Sequence, residues 1–144
     1  MKKDVIITIR SNQSVPGSED EKLELVTLGT YHFGKDEACI SYQESAITGL
    51  DGTSTMFRIR PDEVVLSRKG SVNSKMVFRP GEWGSFFLSS DIGMLKMGLD
   101  TRHMECSMGE HGGSMEIEYD LDFERLFVSR NTFQIEVTEK GMRA

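Results

Sequence analysis

Hydrophobic and polar residues alternate strictly over residues 114–123, Ser-Met-Glu-Ile-Glu-Tyr-Asp-Leu-Asp-Phe. Because successive side chains of a β-strand point to opposite faces, this spacing puts five apolar side chains on one face and four acids on the other. On a helix, the same acids would be spread around the axis. The segment therefore predicts a half-buried strand.

Weaker versions of this alternation recur along nearly the whole chain, separated by turn signals such as Gly34-Lys35-Asp36, Asp51-Gly52 and Pro61-Asp62. The strands are predicted at residues 5–10, 23–33, 37–45, 55–60, 64–68, 76–78, 83–89, 95–101, 114–123 and 127–138. Residues 11–22 are polar and contain Pro16-Gly17, so we predict a mobile loop there.

The order and spacing of these strands predict an all-β fold. The mostly short turns favour a meander, in which neighbours in sequence pair with each other. A closed antiparallel meander of about eight to ten strands is a calycin-type, lipocalin-like barrel, which holds its own side chains or one small ligand. The chain has 144 residues, which suits one barrel domain over 1–144.

Charge and cysteine content narrow the functional classes. The formal net charge is −6 with no long basic run, so the chain lacks the basic footprint of a nucleic-acid binder. The first apolar run ends at Arg10, too short for a signal peptide, and no stretch approaches the roughly 18 apolar residues of a membrane span. Cys39 and Cys106 lie far apart, and we expect reduced thiols in a cytoplasmic protein that binds neither nucleic acid nor membrane.

Several short segments, taken in order, resemble the YwiB-like bacterial proteins, a family of unknown function. They are Tyr42-Gln43-Glu44, residues 48–53, residues 65–70, Met76-Val77-Phe78, residues 93–98, Tyr119-Asp120-Leu121 and Ser129-Arg130-Asn131. The resemblance implies a lipocalin-like, calycin-type barrel in a bacterial, cytosolic setting. It implies no reaction, ligand or catalytic residue.

Polar side chains on the inward faces of the strands are the best candidates for chemistry, because a buried polar group without a partner costs about 1–3 kcal/mol. Arg68 shares its face with Val64 and Leu66, and a buried guanidinium would bind a carboxylate or phosphate through two hydrogen bonds. The apolar part of such a ligand would lie against Phe57, Phe78, Met97 and Tyr119. By the same parity argument, the candidate ligand-binding residues are Arg68, Glu44, Tyr42, His103, Tyr119 and Asn131.

Other interpretations of these residues stay open. Arg68 and Glu44 would equally form an internal ion pair, or Arg68 would sit in water at the barrel rim. A β-bulge would reverse the inward parity of any residue beyond it.

Three potential zinc ligands, His103, Cys106 and His111, lie within nine residues of each other. Their spacing matches no standard zinc finger, and residues 109–113 fit a flexible hairpin turn better. Cys106 with His103 also lacks an orienting third group for nucleophilic catalysis. We predict no metal, no cofactor and no catalytic residue.

The leading hypothesis is a barrel that binds a small amphipathic or anionic ligand in its lumen. The alternative is a filled barrel that acts as a protein-interaction or structural module, and an enzyme is the weakest hypothesis. A lumen of about 300 Å³ or more would favour the ligand. A homodimer is compatible with the sequence, since unclosed strand edges would pair with a second copy.

Overall fold

The computed structural model describes residues 2–140, which form ten β-strands and one short 3₁₀ helix. The strands are β1 (Lys2–Ser14), β2 (Glu21–Phe33), β3 (Ala38–Gln43), β4 (Ser54–Arg60), β5 (Glu63–Lys69), β6 (Val72–Phe78), β7 (Trp83–Ser90), β8 (Gly93–Gly109), β9 (Gly112–Phe123) and β10 (Leu126–Glu139). The 3₁₀ helix, Ala46–Thr48, lies between β3 and β4. Each of the predicted segments overlaps one of these strands, although β1, β6 and β8 extend well beyond the predicted bounds.

The strands close into a barrel in which each strand pairs antiparallel with its sequence neighbours, and β1 pairs with β10. The predicted all-β antiparallel meander is therefore confirmed. Closure gives every strand a partner on both sides along at least part of its length, whereas an open sheet leaves two edge strands unpaired on one side. No helix in the described residues has the length and apolarity to cross a membrane.

The predicted loop over residues 11–22 is wrong at both ends. Residues 11–14 continue β1, residues 21 and 22 begin β2, and only the segment between them turns the chain. The ladder runs on through the pairs Asn12–Lys22 and Gln13–Glu21. Because a ladder needs only backbone groups, polar side chains at the end of a hairpin do not stop it.

The core consists of the inward side chains of the alternating strands, and its centre is aromatic. Phe78 lies 5.0 Å from Tyr119 and 5.9 Å from Phe133 between ring centroids, and Phe57 lies 5.7 Å from Phe133. Edge-on or tilted rings at such distances attract one another beyond the area that they bury. These rings join strands β4, β6, β9 and β10 across the interior of the barrel.

The seam between β2 and β3 is much shorter than the seam between β1 and β2. The first runs only over the pairs from Gly29–Tyr42 to Phe33–Ala38, whereas the second extends as far as Gln13–Glu21. Residues 21–28 of β2 therefore have β1 on one side and no strand on the other within the described chain. The barrel wall is incomplete beside this segment.

Candidate functional site

The site begins with one row of residues that crosses three neighbouring strands. Tyr42 of β3 pairs with Thr55 of β4, which pairs with Arg68 of β5. Residues directly opposite in an antiparallel ladder point to the same face, here the inside of the barrel. The inward direction that alternation predicts for Tyr42 and Arg68 is therefore correct.

Glu44 lies two residues beyond Tyr42, just past the end of β3, and its side chain is only 2% exposed. Its Oε2 accepts a hydrogen bond of 2.5 Å from the Thr55 hydroxyl. Its backbone N–H donates to the carbonyl oxygen of Thr53 at 2.8 Å. These bonds fix a buried carboxylate at the inner wall.

Arg68 supplies the positive charge that faces this carboxylate. Its Nε lies 3.9 Å from Glu44 Oε2, within ion-pair range but too far for a hydrogen bond. The side chain is 25% exposed, yet Nε itself is buried and has no hydrogen-bond partner among the described residues. The two alternatives considered from the sequence are thus each realised in part, as a loose ion pair in a partly hydrated position.

Two tyrosines lie close enough for the charges of this pair to change their pKa values. Burial raises the pKa of Tyr42, the Glu44 carboxylate raises it further, and the positive charge of Arg68 opposes both. Burial also raises the pKa of Tyr119, again opposed by Arg68. Both hydroxyls therefore stay neutral at physiological pH, and the hydroxyl of Tyr42 hydrogen-bonds the Glu44 carboxylate.

Asn131 lies on β10, which is across the barrel from Arg68 on β5. It pairs with Tyr119 of β9. Its side chain is buried, and its amide nitrogen donates to the Ser129 hydroxyl at 3.0 Å. Sequence reasoning missed Ser129 and also Thr55. Alternation carried the signal for Thr55, which shares a face with Phe57 and Ile59.

A cavity of about 670 Å³ that is open to solvent is lined by Tyr42, Glu44, Arg68, Tyr119 and Asn131. It is bounded by β2 on one side and by the β3–β4 connection with its 3₁₀ helix on the other, so it opens where the barrel wall is incomplete. Its apolar surface includes Leu23, Leu25, Phe57, Leu66, Tyr119 and Phe133. Phe57 and Tyr119 line the cavity as predicted, whereas Phe78 and Met97 do not.

The prediction that His103 points into the lumen is wrong. The pairing between β8 and β9 shifts between Thr101 and His103, so Arg102 is an extra residue that forms a β-bulge. An extra residue reverses the parity of everything beyond it. The imidazole is 48% exposed on the outer face, 3.3 Å from the carboxylate of Glu105.

The three potential zinc ligands do not come together. Cys106 lies three residues after His103 and so on the opposite face of β8, where it packs against the core. His111 lies in the turn after β8, 3.1 Å from Oε1 of Glu139. Within residues 2–140, no group of three or more His, Cys, Asp or Glu side chains is arranged to hold a metal ion. Burial raises the pKa of the Cys106 thiol to about 11, which opposes the thiolate that nucleophilic catalysis requires.

Comparison with known proteins gives a family and a fold. A family described as a domain of unknown function (DUF1934) matches residues 7–135. The crystal structure of the ywiB protein from Bacillus subtilis superposes with a TM-score of 0.85 at 20% sequence identity, covering 96% of this chain and 92% of that chain. At this identity, the likeness shows a shared barrel fold and no shared activity. No curated protein matches the chain. The resemblance to YwiB-like proteins that the sequence segments predicted is confirmed.

Proposed function

We propose, from the premise that this chain belongs to the DUF1934 family, that its barrel binds a small amphipathic molecule with an anionic head group in the open lumen. The head group would meet Arg68, and the apolar part would lie on the aromatic floor of the cavity. The cytoplasmic location predicted from the sequence is part of this proposal.

The buried Nε of Arg68 is the observation that carries the proposal. It has no hydrogen-bond acceptor among the described residues, although it belongs to a charged group in the wall of a cavity. A buried donor left unsatisfied costs about 1–3 kcal/mol, and more when the group is charged. A carboxylate or phosphate oxygen of a ligand would satisfy it and would match the planar fork of the guanidinium.

Glu44 reduces the negative charge that a ligand has to supply to Arg68. Because this carboxylate lies 3.9 Å from Nε, the charge of Arg68 is already partly compensated before any ligand binds. The protein therefore tolerates an empty lumen, which suits reversible binding. Tyr42 and Asn131 also line the cavity and offer neutral hydrogen-bonding groups beside the head group.

The apolar surface supports the second half of the proposal. Phe57, Leu66 and Phe133 form a floor below the polar groups, so polar and apolar surfaces face the same cavity. A volume of about 670 Å³ exceeds the roughly 300 Å³ at which small-molecule sites begin. The filled-barrel alternative requires side chains to occupy this space.

Titration with dodecanoate, followed by native mass spectrometry, tests the proposal. Wild-type protein is expected to hold one dodecanoate that is lost on denaturation. The Arg68→Met variant should bind about tenfold or more weakly, because a charge-assisted hydrogen bond is lost. Arg60→Met is the matched control, since Arg60 is 47% exposed and points outward.

Thermal unfolding of both variants establishes that the barrel is intact. Equal dodecanoate affinity in Arg68→Met and wild type would remove Arg68 from the site. Failure of dodecanoate, hexadecanoate and dodecyl phosphate to bind wild-type protein at millimolar concentration would reject the amphipathic ligand class altogether.

A further inference from the structure

Residues 21–28 of β2 form a long strand segment beside the incomplete wall. None of the described strands pairs with this side of the segment. The backbone hydrogen bonds of the β3–β4 connection stay between residues 44 and 53, as in Glu44 N–H to Thr53 and Thr53 N–H to Leu50. Every second backbone N–H and C=O of the segment is therefore available to another strand.

The side chains of this segment do not protect it as edge strands are usually protected. Lys22 and Glu24 carry charge near its start, but Leu25-Val26-Thr27-Leu28 follows without a charge, a proline or a bulge. Val26 and Leu28 point outward and are 61% and 60% exposed. A long apolar edge of this kind is a template for strand addition.

We propose that a second copy of this chain occupies this edge, with the two β2 strands pairing antiparallel about a two-fold axis at Leu25. The result is a homodimer with one continuous sheet across both barrels. Such an interface is isologous, so the same segment must complement itself.

Avoidance of like charges selects this register. Two symmetric registers use nearly the whole free segment, one centred on Glu24 and one centred on Leu25. The first sets Glu24 directly opposite Glu24 of the second copy, and like charges directly opposite destabilise a sheet. The second sets Glu24 opposite Val26 and Lys22 opposite Leu28, with no like charges facing each other.

The same register covers the exposed apolar side chains. The aliphatic stem of Lys22 lies against Leu28 of the second copy, with its ammonium group in water. On the inner face, Leu25 meets Leu25 and Leu23 meets Thr27. Because Leu23 and Leu25 also line the cavity, the two lumens open toward each other across the interface.

Thiol crosslinking tests the register. In a chain with Cys39→Ser and Cys106→Ala, we introduce Leu23→Cys, Leu25→Cys or Thr27→Cys singly and add a short bifunctional thiol crosslinker. Only Leu25→Cys should give a covalent dimer, since each other residue lies about 13 Å along the strand from its own copy. A covalent dimer from Leu23→Cys or Thr27→Cys, with or without one from Leu25→Cys, would overturn the register.

Sedimentation velocity tests the dimer itself without cysteine substitutions. Val26→Glu places one carboxylate opposite Glu24 of the other copy at each of the two symmetric positions, and it should weaken dimerisation about tenfold or more. Adding Glu24→Lys to that variant should restore the dimer. Leu126→Glu, at a residue 72% exposed on a different hairpin, is the control and should leave it unchanged.

A wild-type chain that stays monomeric up to about 100 µM would overturn the proposal. So would a dimer that Val26→Glu does not weaken. Neither result depends on whether the lumen binds a ligand.

Discussion

The Nε atom of Arg68 lies 3.9 Å from Oε2 of Glu44, near enough for charge compensation and too far for a hydrogen bond. The hydroxyl of Thr55 already donates to the same oxygen at 2.5 Å. The buried carboxylate is thus held from one side by a hydrogen bond and from the other by charge. The guanidinium keeps a free donor at the cavity wall.

Glu44→Gln should strengthen the binding of an anionic probe. The substitution removes the negative charge that competes with a ligand for Arg68 and keeps an oxygen that accepts from Thr55. We expect dodecanoate to bind about tenfold more tightly, equivalent to about 1.4 kcal/mol. Isothermal titration calorimetry measures the change, and Glu63→Gln, on the far side of the wall, is the control. Weaker binding in Glu44→Gln would mean that the ligand needs the Glu44 carboxylate.

Thr55→Val and Thr101→Val should change stability in different ways, although both threonines are 1% exposed. Thr55 donates to Glu44, so Thr55→Val leaves a buried carboxylate oxygen without its partner and should cost about 1–3 kcal/mol. The Thr101 hydroxyl has no hydrogen-bond partner in the described chain, so Thr101→Val should be neutral or stabilising. Urea unfolding compares the two free energies, and equal losses would contradict the assignment.

The wall of the barrel was predictable because it depends on local alternation. Residues 114–123 set an apolar face against an acidic one, and the structure pairs that strand with both sequence neighbours. Alternation also predicted correctly that the side chains of Arg68 and Glu44 point inward. Each of these inferences uses only the fact that neighbouring side chains of a strand point to opposite faces.

What alternation missed were the interruptions of the ladder and the contacts between distant strands. A bulge at Arg102 exposes His103. The sequence does carry a signal for it, because the inward apolar residues change from odd positions such as Leu99 before the bulge to even positions such as Met104 after it. The short seam between β2 and β3 has no such signal. It depends on where β3 ends in space, and it determines where the lumen opens.

The outward position of His103 predicts that His103→Ala leaves the protein unchanged. An exposed side chain away from the cavity contributes little, so the free energy of unfolding should stay within about 0.5 kcal/mol of wild type. Dodecanoate affinity should also match wild type in calorimetry. A loss of binding in this variant would mean that His103 does reach the ligand.

Gly29 should not tolerate a side chain, because three strands meet closely around it. A Cβ at this position would collide with the carbonyl oxygen of Ser41 on β3 and with the side chain of Ile7 on β1. Gly29→Ala should therefore destabilise the barrel by about 1–3 kcal/mol through overpacking at the short seam. Gly84→Ala is the control, since a Cβ at Gly84 has nothing within 4 Å. Denaturant unfolding that gave equal stabilities would mean that the seam relaxes freely.

The stability of the barrel should fall in mildly alkaline solution, and Cys106 is one of the first groups to contribute. Burial raises the pKa of its thiol from the ordinary 9.0 to about 11. Between these two pH values, the unfolded chain releases the proton and the folded chain keeps it, so the free energy of unfolding decreases as pH rises. Burial raises the pKa of Tyr31 from 10.0 to about 12, which extends the same decline to higher pH.

Urea unfolding from pH 8 to about pH 11 checks the Cys106 contribution. The slope of the free energy of unfolding against pH should be shallower for Cys106→Ala than for wild type above pH 9. Loss of packing in the variant lowers its stability equally at every pH, so it does not change this slope. Parallel slopes would mean that the folded state releases this proton as readily as the unfolded chain. The thiol would then be accessible to water and would not pack against the core inside the bulged strand.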